Sequence, residues 1–433
     1  MTKTYDKYKD SGIAWIGEIP SEWVVVPHKR VMRKVKEIQE HYQGEDIISL
    51  TMNGVIIRDL EAGGKMPTTF DGYQKVYPGN LLQCLFDIDV TPRCVGLIKN
   101  EGLSSPAYSQ FTMLNESHAS YYDYLLRYMD DNKALLHLSK NLRSSLTESD
   151  FGQIPTICPS SDEQELIASY LDEKCQEIDS LISLQEEMII ELQAYIKSII
   201  SEVVTKGIDS NVSFKESGVD WIEKIPQGWD VRPLKSLFYT EKGLNITKEN
   251  LVEIGIPVLS YGQIHSKENP RTQLNESLFK FVPESYLTTN PGCLVQPGCF
   301  LIADTSEDRE GCGNAIYVDR DLTLFAGYHT IVARPFVEGN YKYLAYLFMT
   351  DYWRQQIRSK VTGIKVFSVN QKHIRATSVI LPPKEEQLKI VEYLDEKVQQ
   401  INKVISLKQE KILELKDYKK SIIFEYVTGK KRV

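Results

Sequence analysis

Two stretches of the chain repeat apolar residues at the three-and-four spacing of one face of a long helix. The first runs Leu171, Ile178, Leu181, Ile182, Met188, Ile189, Leu192, Tyr195, Ile196, Ile199 and Val203; the second runs Leu394, Ile401, Val404, Ile405, Ile412, Leu415, Tyr418 and Ile422. Neither contains an internal proline or glycine, and each follows a proline suited to a helix start, Pro159 or Pro382-Pro383. Residues 162–203 alone would make a helix of ~60 Å, whereas an average globular helix has only about 11 residues. A single apolar stripe of that length needs a partner, and the other stretch is the obvious one. The seam expected of a coiled coil comprises Leu171, Ile178, Leu181, Met188, Leu192 and Ile199 against Leu394, Ile401, Val404, Leu415 and Ile422. Chain connectivity makes such a pair antiparallel and brings the two ends of the chain together.

Between these stretches the periods are shorter. Residues 76–86 and 108–113 read as strands and 121–138 as a helix; later, residues 290–295, 299–303 and 328–333 read as strands and 341–360 as a helix. Both regions are therefore expected to be compact α+β domains.

The chain is also written twice. Ser11-Gly12-Ile13-Ala14-Trp15-Ile16-Gly17-Glu18-Ile19-Pro20-Ser21-Glu22-Trp23 returns as Ser217-Gly218-Val219-Asp220-Trp221-Ile222-Glu223-Lys224-Ile225-Pro226-Gln227-Gly228-Trp229. Glu163-Gln164 and Tyr170-Leu171-Asp172-Glu173-Lys174 return as Glu386-Gln387 and Tyr393-Leu394-Asp395-Glu396-Lys397, and the echo continues to Val204-Thr205 and Val427-Thr428. The middles, residues 24–150 and 230–375, show little alignable similarity. Shared flanks around divergent middles suggest one scaffold presenting two specificities. The domains expected are residues 1–158, a helix over 159–206, residues 207–381 and a helix over 382–433.

Composition changes this picture only in part. With 433 residues, 42% hydrophobic and 10% aromatic, the chain can build more than one core. No apolar run approaches a membrane span and residues 1–12 lack a signal-peptide stretch, so a soluble, cytoplasmic protein with reduced cysteines is expected. The seven cysteines match no standard zinc pattern, and no metal site is expected. Net charge is −8, yet residues 162–206 hold eleven acids against three lysines while 384–432 hold nine acids against twelve bases. The remainder is near neutral, which leaves room for a local basic patch. No GxxxxGK[ST], HExxH or GxSxG string occurs, Asn269-Pro270-Arg271 and Asn290-Pro291-Gly292 do not fit a methyltransferase motif, and Glu414-Leu415-Lys416 lies on a helix face. A non-catalytic binding protein is expected, with no catalytic residue of its own.

The repeated Ser-Gly-x-x-Trp-Ile-x-x-Ile-Pro-x-x-Trp and the repeated Glu-Gln followed by Tyr-Leu-Asp-Glu-Lys resemble the specificity subunits of type I restriction-modification systems, from about Tyr8 to the C-terminus. The resemblance implies two target recognition domains held apart by two helices paired as an antiparallel coiled coil, in a pseudo-two-fold repeat. It implies that each domain reads one half of a bipartite, asymmetric site in double-stranded DNA, and that the helices set the spacer and dock two methyltransferase subunits. S-adenosylmethionine would then belong to the methyltransferase, and ATP and Mg to restriction subunits. Side chains able to reach bases or phosphates are Lys29, Arg30, Arg58, Lys65, Arg93, Lys99 and Arg143 in the first domain. In the second they are Lys242, Lys248, Tyr261, Gln263, His265, Arg309, Tyr328, His329 and Lys365. The alternative from another class is a protein-interaction scaffold with two binding domains on a coiled-coil spacer.

Overall fold

The computed structural model describes residues 4–52, 54–62, 67–91, 93–136, 144–363 and 365–433. The chain divides into two compact units, residues 1–186 with 409–433 and residues 187–408, so that each unit takes part of both long helices, Ser161–Lys206 and Lys384–Val427.

The first unit opens with an antiparallel hairpin, Tyr8–Asp10 against Glu18–Pro20. Strand Val24–Pro27 then pairs with Pro155–Cys158. The sequence between them forms a four-stranded antiparallel sheet in the spatial order Met32–Val35, Ser109–Met113, Leu81–Gln83, Val95–Leu97. The single strand expected over 76–86 is two, Gln74–Val76 and Leu81–Gln83, because Pro78-Gly79 turns the chain with Gly79 at φ +84°. Helix Ala119–Asp131 covers the sheet and ends before the expected Leu138, which lies outside the described residues.

The second unit repeats this order. A hairpin, Phe214–Val219 against Ile222–Pro226, precedes strand Asp230–Pro233, which pairs with Ser378–Leu381. The enclosed sheet runs Phe238–Lys242, Thr330–Pro335, Phe300–Ala303, Ala315–Tyr317. The repeat therefore continues through middles that share little sequence: strand positions are filled by different side chains, Met32 where the second unit has Phe238, with both buried. Two expectations fail here. Residues 290–295 form no strand, because Pro291 has no N–H to give a ladder, and they make a 3₁₀ turn, Pro291–Cys293, instead. The helix expected over 341–360 is two, Lys342–Met349 and Asp351–Arg358. Thr350 is extended between them and its hydroxyl oxygen accepts from the Trp353 N–H, which folds the Trp353 ring back to stack on Phe348 at 4.0 Å.

The long helices are joined to each unit by the residues that the sequence repeats. In the first unit the Trp23 indole N–H donates to Glu163 at 2.8 Å, Tyr124 donates to Asp172 at 2.7 Å, and Tyr121 donates to the Val427 carbonyl at 2.8 Å. In the second unit Trp229 donates to Glu386 at 3.0 Å, Tyr346 to Asp395 at 2.7 Å, and Tyr343 to the Val204 carbonyl at 2.8 Å. Each helix ends at a left-handed glycine, Gly207 or Gly429; a side chain at Gly429 would collide with Pro20 beside the Trp23 ring, and one at Gly207 would crowd the Glu386 carboxylate beside the Trp229 ring. In the first unit the two ends of the chain meet: the Tyr8 hydroxyl donates to the Lys430 carbonyl at 3.4 Å, the Lys430 ammonium donates to the Glu18 carbonyl, and the Arg432 guanidinium lies over the Tyr5 ring.

Pairing of the helices is antiparallel within the first unit, where Tyr170 packs on Tyr426 and Asp179 bonds Lys419 at 2.7 Å. Such an exposed ion pair contributes at most about 1 kcal/mol and favours register more than stability. The least exposed positions run Leu171, Cys175, Ile178, Ile182 and Gln185 on one helix, and Ile412, Leu415, Lys419, Ile422 and Tyr426 on the other. In the second unit they run Ile189, Leu192, Ile196, Ile199 and Val203, and Leu394, Val398, Ile401, Ile405 and Lys408. Leu181, Met188 and Val404, expected in the seam, instead face solvent at 47%, 37% and 41% exposure. Each precedes a seam isoleucine by one residue, about 100° around the helix. The unbroken three-and-four run fixes the phase on Ile182, Ile189 and Ile405.

His28 shows how one repeat position changes the chemistry. It is wholly buried; Nδ1 lies 3.2 Å from the Phe151 carbonyl and Nε2 has no partner, and burial pulls its pKa from 6.5 down to about 4. Because the folded value is the lower, the unfolded chain binds the extra proton between pH 6.5 and 4. Stability from this residue is therefore complete above pH 6.5 and falls by up to about 3 kcal/mol as pH drops to 4. The repeat places Leu234 at the matching position, also buried. His28→Leu is expected to be no more stable than the parent at pH 8, where the Phe151 carbonyl has lost its partner, and to close or reverse that gap at pH 5. Urea unfolding of the first unit at both pH values measures this, and an unchanged gap would contradict it.

Candidate nucleic-acid interface

Five of the residues expected to reach nucleic acid converge in the second unit on one open cleft of about 1020 Å³: Lys248, Tyr261, Gln263, His265 and Tyr328. The short helix Tyr261–His265 supplies three of them. Ser260 caps it, with the Gln263 side-chain oxygen accepting from the Ser260 N–H at 3.1 Å. Tyr261 stands at the centre of an aromatic group, edge-on to His265, Tyr328 and His329 at 5.9, 5.6 and 5.4 Å. Half-buried aromatic groups of this kind, with His329 exposed beside them, suit apolar contact with bases.

His265 lies in the cleft but is fully engaged by protein. Its Nδ1 faces the Asn314 amide at 2.9 Å and its Nε2 faces the Thr305 carbonyl at 2.7 Å, so Nε2 is the ring's donor and Nδ1 its acceptor. Its role is to hold strand ends together. His329 is exposed, with a left-handed backbone (φ +54°), between Asp304 and Thr305. Lys242 and Lys365 are exposed outside the cleft, and the Arg309 Nε donates to the Arg358 carbonyl.

In the first unit the expected residues do not converge. Lys29 and Arg30 are exposed on the 3₁₀ turn His28–Arg30, Lys99 is exposed in a loop, and Arg58 is half-buried after strand Gly54–Ile57. Arg93 is held at 3.4 Å from buried Asp130 and 2.8 Å from Asp131 with 15% of its side chain exposed, so its guanidinium braces the end of helix Ala119–Asp131. Lys65 and Arg143 lie outside the described residues. A smaller groove of about 400 Å³ has Arg33, Lys36, Tyr77, Asn80 and Gln110 on its walls, none of them expected. Gln110 accepts from Asn80 at 2.9 Å and donates to the Lys75 carbonyl, leaving Arg33 and Lys36 as the groove's exposed cations.

Sequence reasoning also missed five cations of the large cleft: Lys197, Arg271, Lys280, Arg354 and Arg358. Arg358 is matched by Glu310 at 2.5 Å and Asp351 at 2.8 Å. Arg354 is buried, donates to Asn314 and to the Glu310 carbonyl, and has its pKa lowered to about 10 by burial and then by Arg271 and Arg358. The available signals were the Asn269-Pro270 turn before Arg271 and the i, i+4 placement of Arg354 and Arg358 on one face of a short amphipathic helix. Among the described residues no cluster of His, Cys, Asp or Glu could hold a metal ion, all seven cysteines are free, and no helix is long and apolar enough to cross a membrane.

Two like-ordered sheet units, each anchored to the start of one long helix and the end of the other, with unlike polar surfaces, define a class of duplicated recognition protein. Residues 226–416 match the model of the type I restriction modification DNA specificity domain. The Methanocaldococcus jannaschii type I restriction enzyme MjaVIII specificity subunit is 24% identical over 65% of this chain, a match spanning 63% of the length of that relative. The putative type I restriction enzyme MjaX specificity subunit of the same organism is 24% identical over 96% of both chains. The fold is shared with the HsdS subunit of Thermoanaerobacter tengcongensis (TM-score 0.53, 17% identity, 95% of this chain and 98% of that one). It is shared more closely with a chain from a structure of type I R-M complex assembly and conformational transition (TM-score 0.69, 16% identity, 94% and 98%). The chain is thus similar, in a domain of its second half and at low identity over nearly its whole length, to specificity subunits of type I restriction-modification systems.

Proposed function

We propose that this chain directs a type I complex to a bipartite site in double-stranded DNA, each unit reading one half, with the paired helices setting the spacer between the halves. The observation that carries this is the combination of one sheet order in both units with different polar surfaces: an arginine and tyrosine cleft in the second, a smaller groove with Arg33 and Lys36 in the first. A shared scaffold with private surfaces suits two unrelated half-sites. Two methyltransferase subunits, with their S-adenosylmethionine, would dock on the helices. The outward apolar residues Leu181 and Leu184 in the first unit, and Met188, Val404 and Leu407 in the second, support that role because the seam does not use them. Restriction subunits with ATP and Mg would complete the complex. This chain would contribute recognition and no catalytic step.

Duplex binding by the chain with its methyltransferase subunits tests the reading. Affinity is expected to fall steeply and linearly on a log–log plot as salt rises, with a slope of about −0.9 per phosphate neutralised. Binding that is absent at low salt, or indifferent to salt, would contradict the proposal and favour a scaffold that binds proteins.

A further inference from the structure

Arg271 stands apart from the other arginines of the large cleft. Its backbone is left-handed at φ +66°, a conformation costly for a residue with a side chain. That backbone is held on both sides: its N–H donates to the Asn269 side chain at 2.8 Å and its carbonyl accepts from the Tyr317 N–H at 2.9 Å. The guanidinium, by contrast, has no hydrogen-bond or carboxylate partner among the described residues, although it is partly buried and lines the cleft. The nearby carboxylates do not answer it, since Glu310 and Asp351 are paired with Arg358. Its neighbour Arg354 is 7% exposed, and the Nε atoms of Arg354 and Arg358 are buried without partners. Two guanidiniums are thus close enough to repel, with donors left over.

A planar fork of free donors accepts either of two ligands, the two oxygens of a phosphate or the O6 and N7 edge of guanine. Charge alone admits both, because the cations lining the cleft outnumber its carboxylates, six to four. Lys248 and Lys280 are exposed there and suit phosphates, which leaves the half-buried fork of Arg271 for a base edge. Tyr261 and Tyr328 add apolar surface at the mouth of the cleft.

We propose that Arg271 is a specificity-determining residue of the second unit, presenting its guanidinium to a guanine in the half-site that this unit reads. The inference rests on the proposed function, since it requires the cleft to face DNA. The left-handed turn is the device that aims the side chain, and its strain is retained because the flanking hydrogen bonds fix the backbone.

The test uses the full chain assembled with its methyltransferase subunits and a duplex library randomised across both half-sites. The parent complex is expected to require a G·C pair at one position of the second half-site. Arg271→Gly suits the left-handed backbone, so it folds at least as well as the parent while removing the donors. It is expected to lower discrimination at that one position about ten- to a hundredfold, leaving the first half-site and the spacer unchanged. Arg271→Lys, which keeps the charge and loses the fork, is expected to relax the same position to a lesser degree. Discrimination unchanged at every position would overturn the inference. So would a uniform loss of affinity with the salt slope reduced by about one, which marks a phosphate contact. A parent complex with no bipartite preference at all would overturn the proposed function, and this inference with it.

Discussion

Trp229→Ala is expected to destabilise the second unit by about 3–5 kcal/mol, the range for deleting a fully buried tryptophan. Trp229 is 1% exposed and belongs to the core that joins Val203 and Val204 of the first long helix to Leu394 of the second, and its indole N–H holds Glu386 at 3.0 Å. Truncation therefore removes packing and a charge-assisted hydrogen bond together. Trp229→Phe keeps a six-membered ring but loses the N–H and part of the packing, with an expected cost of about 1.5–3 kcal/mol. The pair Trp23 and Glu163 stands in the same relation in the first unit, so Trp23→Ala is expected to match Trp229→Ala in size but to unfold the first unit. Urea unfolding followed by hydrogen exchange within each unit reads both numbers. A loss below about 1 kcal/mol for either alanine variant would show that the repeated tryptophans do not anchor the helices.

The second large effect concerns sequence choice. In each unit the private middle leaves and returns through one pair of adjacent strands, Pro27 opposite Pro155 in the first and Pro233 opposite Ser378 in the second. The ends of the segment are thus held side by side by backbone hydrogen bonds that do not depend on what lies between them. Replacing residues 234–377 with the corresponding segment of one of the similar specificity subunits is expected to replace one half-site outright. The other half-site and the spacer should stay as they were. Recovery of bound sequences from a randomised duplex pool measures all three. A change in both half-sites, or none in either, would contradict the division of labour between the units.

Much of this architecture was legible in the sequence because duplication leaves marks that packing cannot erase. Trp23 and Trp229, and Glu163 and Glu386, each do the same task twice and recur at matched spacing, while the glycines that end both long helices recur one residue out of register. Helix phase was harder to read. Leu181 and Ile182 are equally apolar, and a seam that admits Gln185, Lys408 and Lys419 looks interrupted when only hydrophobic residues are counted. The common sheet order of the two middles was invisible for a related reason. Strands of three to six residues specify little by themselves, and a core fills Met32 or Phe238 into the same place at similar free energy. At the candidate site, the aromatic and amide residues of Tyr261–His265 stood out as a group, whereas Arg271 depends on a backbone conformation and on the absence of partners. Neither property is written in residue types. Arg93 is the reverse case, a cation that resembled a ligand for phosphate until its carboxylates, Asp130 and Asp131, were in view.

The most direct test of the central claim maps DNA methylation across the host chromosome with and without this gene, the genes of the methyltransferase subunits left intact. The account predicts that one bipartite, asymmetric motif with a fixed spacer is methylated in the parent and loses its methylation when this chain is absent. An unchanged methylome, with the chain shown to be expressed in the parent, would contradict it.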